Sequence, residues 1–212
     1  MRNPFFLAAA AFVATIAAQA AVSALPAFAS ESQAAEAQAP PQVRSGDYRL
    51  DESHAKILWS VSHFGFSTYY GEFTDFDAQL RLEAANPEAS RLTARIVTAS
   101  VATHNEALDA HLKSADFFDI PNHAEARFVS TGVRPTGPTT AEVTGQFTML
   151  GQTRPLTLDV TFNKAGDNRA GIYTAGFSAS GTIRRSDYGM DYGLPAVGDE
   201  ITLTISGEFN PA

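Results

Sequence analysis

The sequence has 212 residues, 44% of them hydrophobic and 18% charged, enough apolar material for one folded domain of ordinary size. Its formal net charge is −8 with acidic and basic residues dispersed, which argues against a nucleic-acid surface and against electrostatic docking on anionic lipid headgroups, since both need clustered Lys and Arg. The absence of cysteine excludes disulfides, thiolate catalysis, thiolate metal sites and a lipid-modified N-terminal cysteine.

In chain order, the first element is a targeting segment. Arg2 supplies a short positive region, and Phe5 to Ala24 is apolar or small apart from Thr15, Gln19 and Ser23. Ala27-Phe28-Ala29 then gives the small-x-small pattern that signal peptidase reads. The run is also long enough for an uncleaved membrane anchor, but its alanine-rich composition makes insertion only weakly favourable. The expectation is a cleaved signal peptide over 1–29, a periplasmic or secreted product, and no stable membrane insertion after cleavage. Residues 30–46 are rich in Ala, Gln, Glu and Pro with a single β-branched residue, Val43, and read as a disordered linker. The folded domain is expected over 47–212.

From Tyr48 the texture becomes the two-residue alternation of half-buried strands. Ile57, Trp59 and Val61 form one apolar face, and Phe76, Ala78, Leu80 and Leu82 another. Leu156 to Phe162 and Ile201 to Phe209 alternate with threonines and acidic residues, and weaker strands run through Leu92–Val101, Arg127–Val133, Glu142–Met149 and Ile172–Ile183. Turn signals stand between them, and Met149-Leu150-Gly151-Gln152-Thr153 reads as a tight hairpin. One segment breaks the pattern. Thr103 and Glu106 have the spacing of a capping box, with Leu108, Leu112 and Ala115 following at helical spacing until Phe117-Phe118 and Pro121. About eight antiparallel strands and one short helix make an all-β fold, either a sandwich or a barrel; periodicity alone does not choose.

The chain shows no obvious catalytic constellation. On one helix His104 and His111 would stand two turns, roughly 10 Å, apart, too far to share a metal. On one continuous strand His54 and His63 would face opposite sides. Gly176-Phe177-Ser178-Ala179-Ser180 lacks the second glycine of a nucleophile elbow, no glycine loop is followed by Lys-Ser/Thr, and Asp75 and Asp77 fit a solvated strand face. No catalytic residue, metal or cofactor is therefore expected. The aromatic content is what stands out. Its rings either pack a barrel solid or line a lumen that takes a hydrocarbon chain.

Several motifs follow one another in a distinctive order. They are Tyr48-Arg49-Leu50-Asp51 with His54, and Val61-Ser62-His63-Phe64-Gly65 leading to Gly71-Glu72-Phe73. Next come Leu108-Asp109-Ala110-His111-Leu112 through Phe117-Phe118-Asp119, followed by Phe128-Val129-Ser130-Thr131. Thr144-Gly145 to Gly151-Gln152-Thr153-Arg154-Pro155-Leu156 and the closing Arg185-Ser186-Asp187-Tyr188-Gly189-Met190 with Gly198-Asp199-Glu200-Ile201 complete the series. In this order they resemble the YceI-like family of periplasmic and secreted lipid-binding proteins, and the resemblance spans about 48–209. It implies a lipocalin-like, eight-stranded antiparallel barrel carrying a polyisoprenoid or isoprenoid quinone, in a family whose members are often homodimers. Ligand-binding candidates come from the aromatic-rich motifs: Phe64, Phe66, Phe73, Phe117, Phe118, Phe128, Phe147, Met149, Tyr188, Met190 and Tyr192. His63, Arg185 and Asp187 fall near the expected barrel mouths as candidates for a polar headgroup; the alternative for Arg185 and Asp187 is a salt-bridged turn. The rival functions are an enzyme acting on lipid in the same barrel and a structural domain with a filled core.

Overall fold

The computed structural model describes residues 43–212; the expected signal peptide and residues 30–42 of the expected linker lie outside the described residues. Ten strands form one sheet: β1 (Gly46–His63), β2 (Ser67–Phe73), β3 (Phe76–Leu82), β4 (Arg91–Val97), β5 (Val101–Ala102), β6 (Glu125–Pro135), β7 (Thr140–Met149), β8 (Gln152–Asp167), β9 (Tyr173–Arg184) and β10 (Val197–Pro211). All pairings are antiparallel, and β10 returns to pair with β1, which closes the sheet. Two of the ten strands continue others. β2 and β3 both pair with β1, on its C-terminal and N-terminal halves, while β5 pairs with β2 as β4 pairs with β3. The result is a closed barrel of eight staves.

The two interruptions face each other and form a corner. Between β4 and β5 the turn Thr98–Ser100 puts Thr98 inside, its hydroxyl donating to the His123 carbonyl at 2.7 Å. Between β2 and β3, Thr74 N–H donates to the Ser100 carbonyl at 3.2 Å. The sequence pattern Leu92–Val101 thus reads as one strand but folds as two.

Among the described residues the one α-helix, α1 (Glu106–Leu112), sits between β5 and β6. The expected capping box is not formed. Asn105, extended at φ −127°, takes the N-cap and accepts from Leu108 N–H at 3.1 Å. Thr103 instead donates its N–H and hydroxyl to the Asp109 carboxylate at 2.8 and 2.6 Å. Asparagine is the better cap, and it sits two residues nearer the first helical turn.

Bulges decide which side chains face inward. Between Asp51 and Ala55 the β1–β10 register slips, so even positions Tyr48 and Leu50 point in before it and odd positions Ala55, Ile57, Trp59 and Val61 after it. Asp51 holds that bulge, accepting from Ser53 N–H at 3.1 Å and bonding His54 Nδ1 at 2.9 Å. The Ser53 hydroxyl, which also donates to this carboxylate, and then His54 hold the Asp51 carboxyl at about 2, below the usual carboxylate range.

The strand ladder starts at Gly46, and the residues just before it are tied down as well. Arg44 N–H donates to Tyr173 Oη at 3.1 Å, its guanidinium lies 4.1 Å from that ring's centre, and Ala84 N–H donates to Ser45 Oγ at 2.8 Å. The β7–β8 turn is the expected tight hairpin, with Leu150 and Gly151 both at positive φ.

Gly145, on β7, lies under the Phe128 ring. A Cβ there would stand 2.4 Å from the ring and 2.6 Å from the Val129 carbonyl oxygen. Gly145→Ala is therefore expected to lower stability by about 1–3 kcal/mol through overpacking. Urea unfolding followed by the fluorescence of Trp59, the one tryptophan, measures this; an unchanged midpoint contradicts the close approach.

Candidate ligand cavity

Alternation along closed strands sends one set of side chains into a common interior. Here that interior is not full. A cavity of about 1170 Å³ runs through the barrel, somewhat above the range usual for cavities that hold small ligands (~300–1,000 Å³). Along β10 its wall extends from Val197 to Phe209, about 40 Å of strand at the usual rise. With an ordinary strand tilt that is roughly 30 Å of barrel axis. Ile57, Leu92, Val160, Ile201, Leu203 and Ile205 point inward yet are only half-buried, because they face open space.

The two ends differ. One end carries the β1–β2 turn, α1 and the β9–β10 connection, and there the cavity wall includes His63, Phe64, His111, Phe117 and Tyr192. The His111 ring meets Phe117 and Tyr192 edge-on, with centres 5.0 and 4.9 Å apart, and bonds Asp116 through Nε2 at 2.9 Å. His63 packs edge-on against Phe64 at 4.7 Å. Further in stand Phe118, edge-on to Phe73 at 5.6 Å, and then Phe128, Phe147, Met149 and Met190. Toward the other end, Phe177 touches both Phe162 and Phe209, and Val43, Pro87 and Pro138 reach the wall.

The structure brings eleven of the expected ligand-binding residues to this wall: His63, Phe64, Phe73, Phe117, Phe118, Phe128, Phe147, Met149, Arg185, Met190 and Tyr192. Three are elsewhere. Phe66 is the tip of the β1–β2 turn and 92% exposed, pointing into solvent. Tyr188 is buried behind the wall, edge-on to Phe147 at 5.6 Å, with its hydroxyl pushed up by burial. Asp187 lies exposed on the outside of its turn. The wall also contains Trp59, Tyr69 and His111, which the aromatic motifs did not single out. Trp59 was legible from its place between Ile57 and Val61, and His111 from its spacing after Leu108.

Arg185 forms no salt-bridged turn with Asp187. Its side chain, 2% exposed, donates to four main-chain carbonyls: Nε to Gly198 at 2.8 Å, Nη1 to Met190 and Tyr192 at 2.8 and 2.9 Å, and Nη2 to Val197 at 2.9 Å. Burial pushes its pKa below the usual arginine value, while Asp199 and Asp191 favour the charge. Asp199 in turn accepts from the N–H and hydroxyl of Ser186, at 2.9 and 2.8 Å. Arg185 is the staple of the β9–β10 connection, with four of its five N–H donors committed to main-chain carbonyls. Trp59 lies flat over Gly71, where a Cβ would come within 2.2 Å of the indole; its Nε1 is shielded and has no hydrogen-bond partner among the described residues.

A family model described as the YceI-like domain matches residues 48–209. The chain belongs to the YceI-like family. Among curated relatives, a UPF0312 protein of Pseudomonas putida strain GB-1 is 40% identical over 169 residues, 79% of this chain and 88% of that one. One from Ectopseudomonas mendocina is 37% identical over the same shares. Among solved structures, BcnA of Burkholderia cenocepacia has a TM-score of 0.69 at 23% identity, covering 75% of this chain and 98% of BcnA. The Campylobacter jejuni YceI protein has a TM-score of 0.65 at 28% identity, covering 71% and 90%. A polyisoprenoid binding domain from Saccharophagus degradans has the same fold at a TM-score of 0.54 and 11% identity, covering 80% of this chain and all of that one. The YceI-like match begins and ends within the paired strands β1 and β10, so family domain and barrel coincide.

Removing the Arg185 side chain leaves four carbonyls without their donors. Arg185→Met is expected to lower stability by about 3 kcal/mol or more. It should also speed amide hydrogen exchange across residues 189–198. Arg185→Lys should recover little, because a point ammonium cannot reproduce the planar fork. Wild-type exchange rates in Arg185→Met would refute the staple.

Proposed function

We propose that this protein is an exported carrier that holds one long isoprenoid lipid in its barrel, the hydrocarbon along the lumen and the polar end beside His63, His111 and Tyr192. The observation that carries this reading is the long cavity with its mainly aliphatic and aromatic wall. A polyprenyl chain or the tail of an isoprenoid quinone matches it in shape and polarity. The shared fold of the polyisoprenoid binding domain from Saccharophagus degradans supports the same cargo class, and the N-terminal basic-then-apolar pattern with Ala27-Phe28-Ala29 supports export to the periplasm.

The energetics favour a long chain. Each 100 Å² of hydrocarbon taken out of water contributes about 2.5 kcal/mol. An association cost of roughly 10 kcal/mol is then offset by burying about 400 Å² of ligand. A longer chain adds affinity without a polar anchor, in keeping with a committed Arg185 and an exposed Asp187.

Protein from the soluble fraction of its own cells is expected to yield a prenyl or quinone lipid on organic extraction and mass spectrometry. Lipid-free protein that also takes up no added prenyl lipid would defeat the reading.

Leu203, on β10 and half-buried against the lumen, gives a second test. Leu203→Trp is expected to fill open space, keep the unfolding midpoint near wild type and cut uptake of a long prenyl lipid tenfold or more, as overpacking would not. Undiminished uptake would show that the chain does not pass that point.

A further inference from the structure

At the helix end, the barrel displays apolar rings instead of covering them. The β1–β2 turn runs His63-Phe64-Gly65-Phe66, closed by Phe66 N–H donating to the His63 carbonyl at 3.0 Å. Phe66 is 92% exposed and Phe64 54%, and Tyr192 on the neighbouring connection is 51% exposed. Phe64 also sits at φ +54°, with Gly65 at +72°, a pair of conformations that favours Asn-Gly and disfavours a bulky ring.

The β7–β8 turn offers an internal comparison. Leu150 and Gly151 have nearly the same backbone, φ +51° and +72°, but the Leu150 side chain packs against the main core. Burial there offsets the strain. Phe64 is only partly covered, by the His63 ring, and Phe66 has no such cover.

The two segments that carry these rings also lack formal charge. Ile57 to Gly71 contains no Asp, Glu, Lys or Arg, and neither does Tyr192 to Gly198, in a chain that is 18% charged. The two segments adjoin, since Phe64 N–H donates to the Ala196 carbonyl at 2.7 Å. Phe64 and Tyr192 belong to this rim and to the cavity wall alike.

We propose that this rim is a membrane-docking edge, with Phe66, Phe64 and Tyr192 inserting into the interfacial layer of a zwitterionic bilayer so that the lumen opens onto lipid. Aromatic rings favour that layer, where their apolar bodies leave water without entering the hydrocarbon centre. The ring-bearing segments have no Lys or Arg, and on a chain of net charge −8 that fits neutral headgroups and disfavours anionic ones. Transfer of cargo across the edge rests on the proposed lipid cargo; docking itself does not.

Flotation with phosphatidylcholine vesicles, using protein from the soluble fraction, tests the edge. Wild type is expected to float with the vesicles, and F66S to lose roughly tenfold in partition. F64N should also bind less while its thermal midpoint holds or rises, because asparagine tolerates the left-handed backbone. Phosphatidylglycerol in the vesicles should weaken binding at low salt. Equal partition of wild type and F66S, or binding that grows with anionic lipid, overturns the edge. A wild-type dimer that F66S dissociates, with no vesicle binding by either, also overturns it and makes the rim a contact between two copies. Loading of a prenyl lipid from detergent, measured in the same proteins, separates the two ideas. F66S should load like wild type, and a wild type that docks but never loads refutes the cargo alone.

Discussion

The pairing of β1 with β10, from Tyr48–Pro211 to His63–Val197, turns a meandering sheet into a tube. A closed sheet has no edge to protect, and every second side chain of every stave faces one shared interior. Eight staves enclose about enough room either to be filled by side chains or to admit one ligand. The choice of inward residues settles which. Here rings and aliphatics alternate with small residues: Ala55, Ala78, Ala94 and Ala126 face inward, and Gly71 and Gly145 yield their space to Trp59 and Phe128. The wall is therefore thin in places, and the rings stand against it instead of meeting across the axis.

Strand alternation carried most of this architecture. It gave the inward faces of β3, β8 and β10 directly, because those faces alternate against charged or threonine-rich outer positions. It did not reveal the corner at Thr98–Ser100, whose backbone bends while its side chains keep the polarity of a strand. Nor did it fix the phase across the Asp51–Ala55 bulge, where the inward parity changes. The helix cap was misassigned between two nearby polar residues, Thr103 and Asn105, that both satisfy the local pattern.

The candidate site was legible where aromatics fall on strands and obscure where they fall in turns. Phe73, Phe128 and Phe147 have a phase set by their strands and stand at the cavity. Phe66 and Tyr188 belong to turns, and their directions are set by backbone geometry that the residue pattern does not encode. Arg185 is the clearest instance. A charged residue in a turn reads as solvent-facing, yet the connection after it turns four carbonyls toward one point, and a guanidinium has enough donors to meet them all. The signal lay in the geometry of the acceptors, several residues downstream.

The division of labour follows from these placements. Outside, the staves are joined by main-chain ladders and cross-strand ion pairs such as Arg95 with Asp77 and Glu125. Such exposed pairs are individually weak, so the ladders and the inner wall hold the frame. At the mouth, the Arg185 staple fixes the connection without help from anything in the lumen. The inner wall is thus free to remain partly unfilled, and any molecule that binds it in the folded state alone adds to stability in proportion to the logarithm of its concentration over its dissociation constant. Occupancy and folding become coupled through the hydrophobic wall, while backbone-directed polar contacts set the shape of the opening in the folded barrel without calling on a molecule in the lumen.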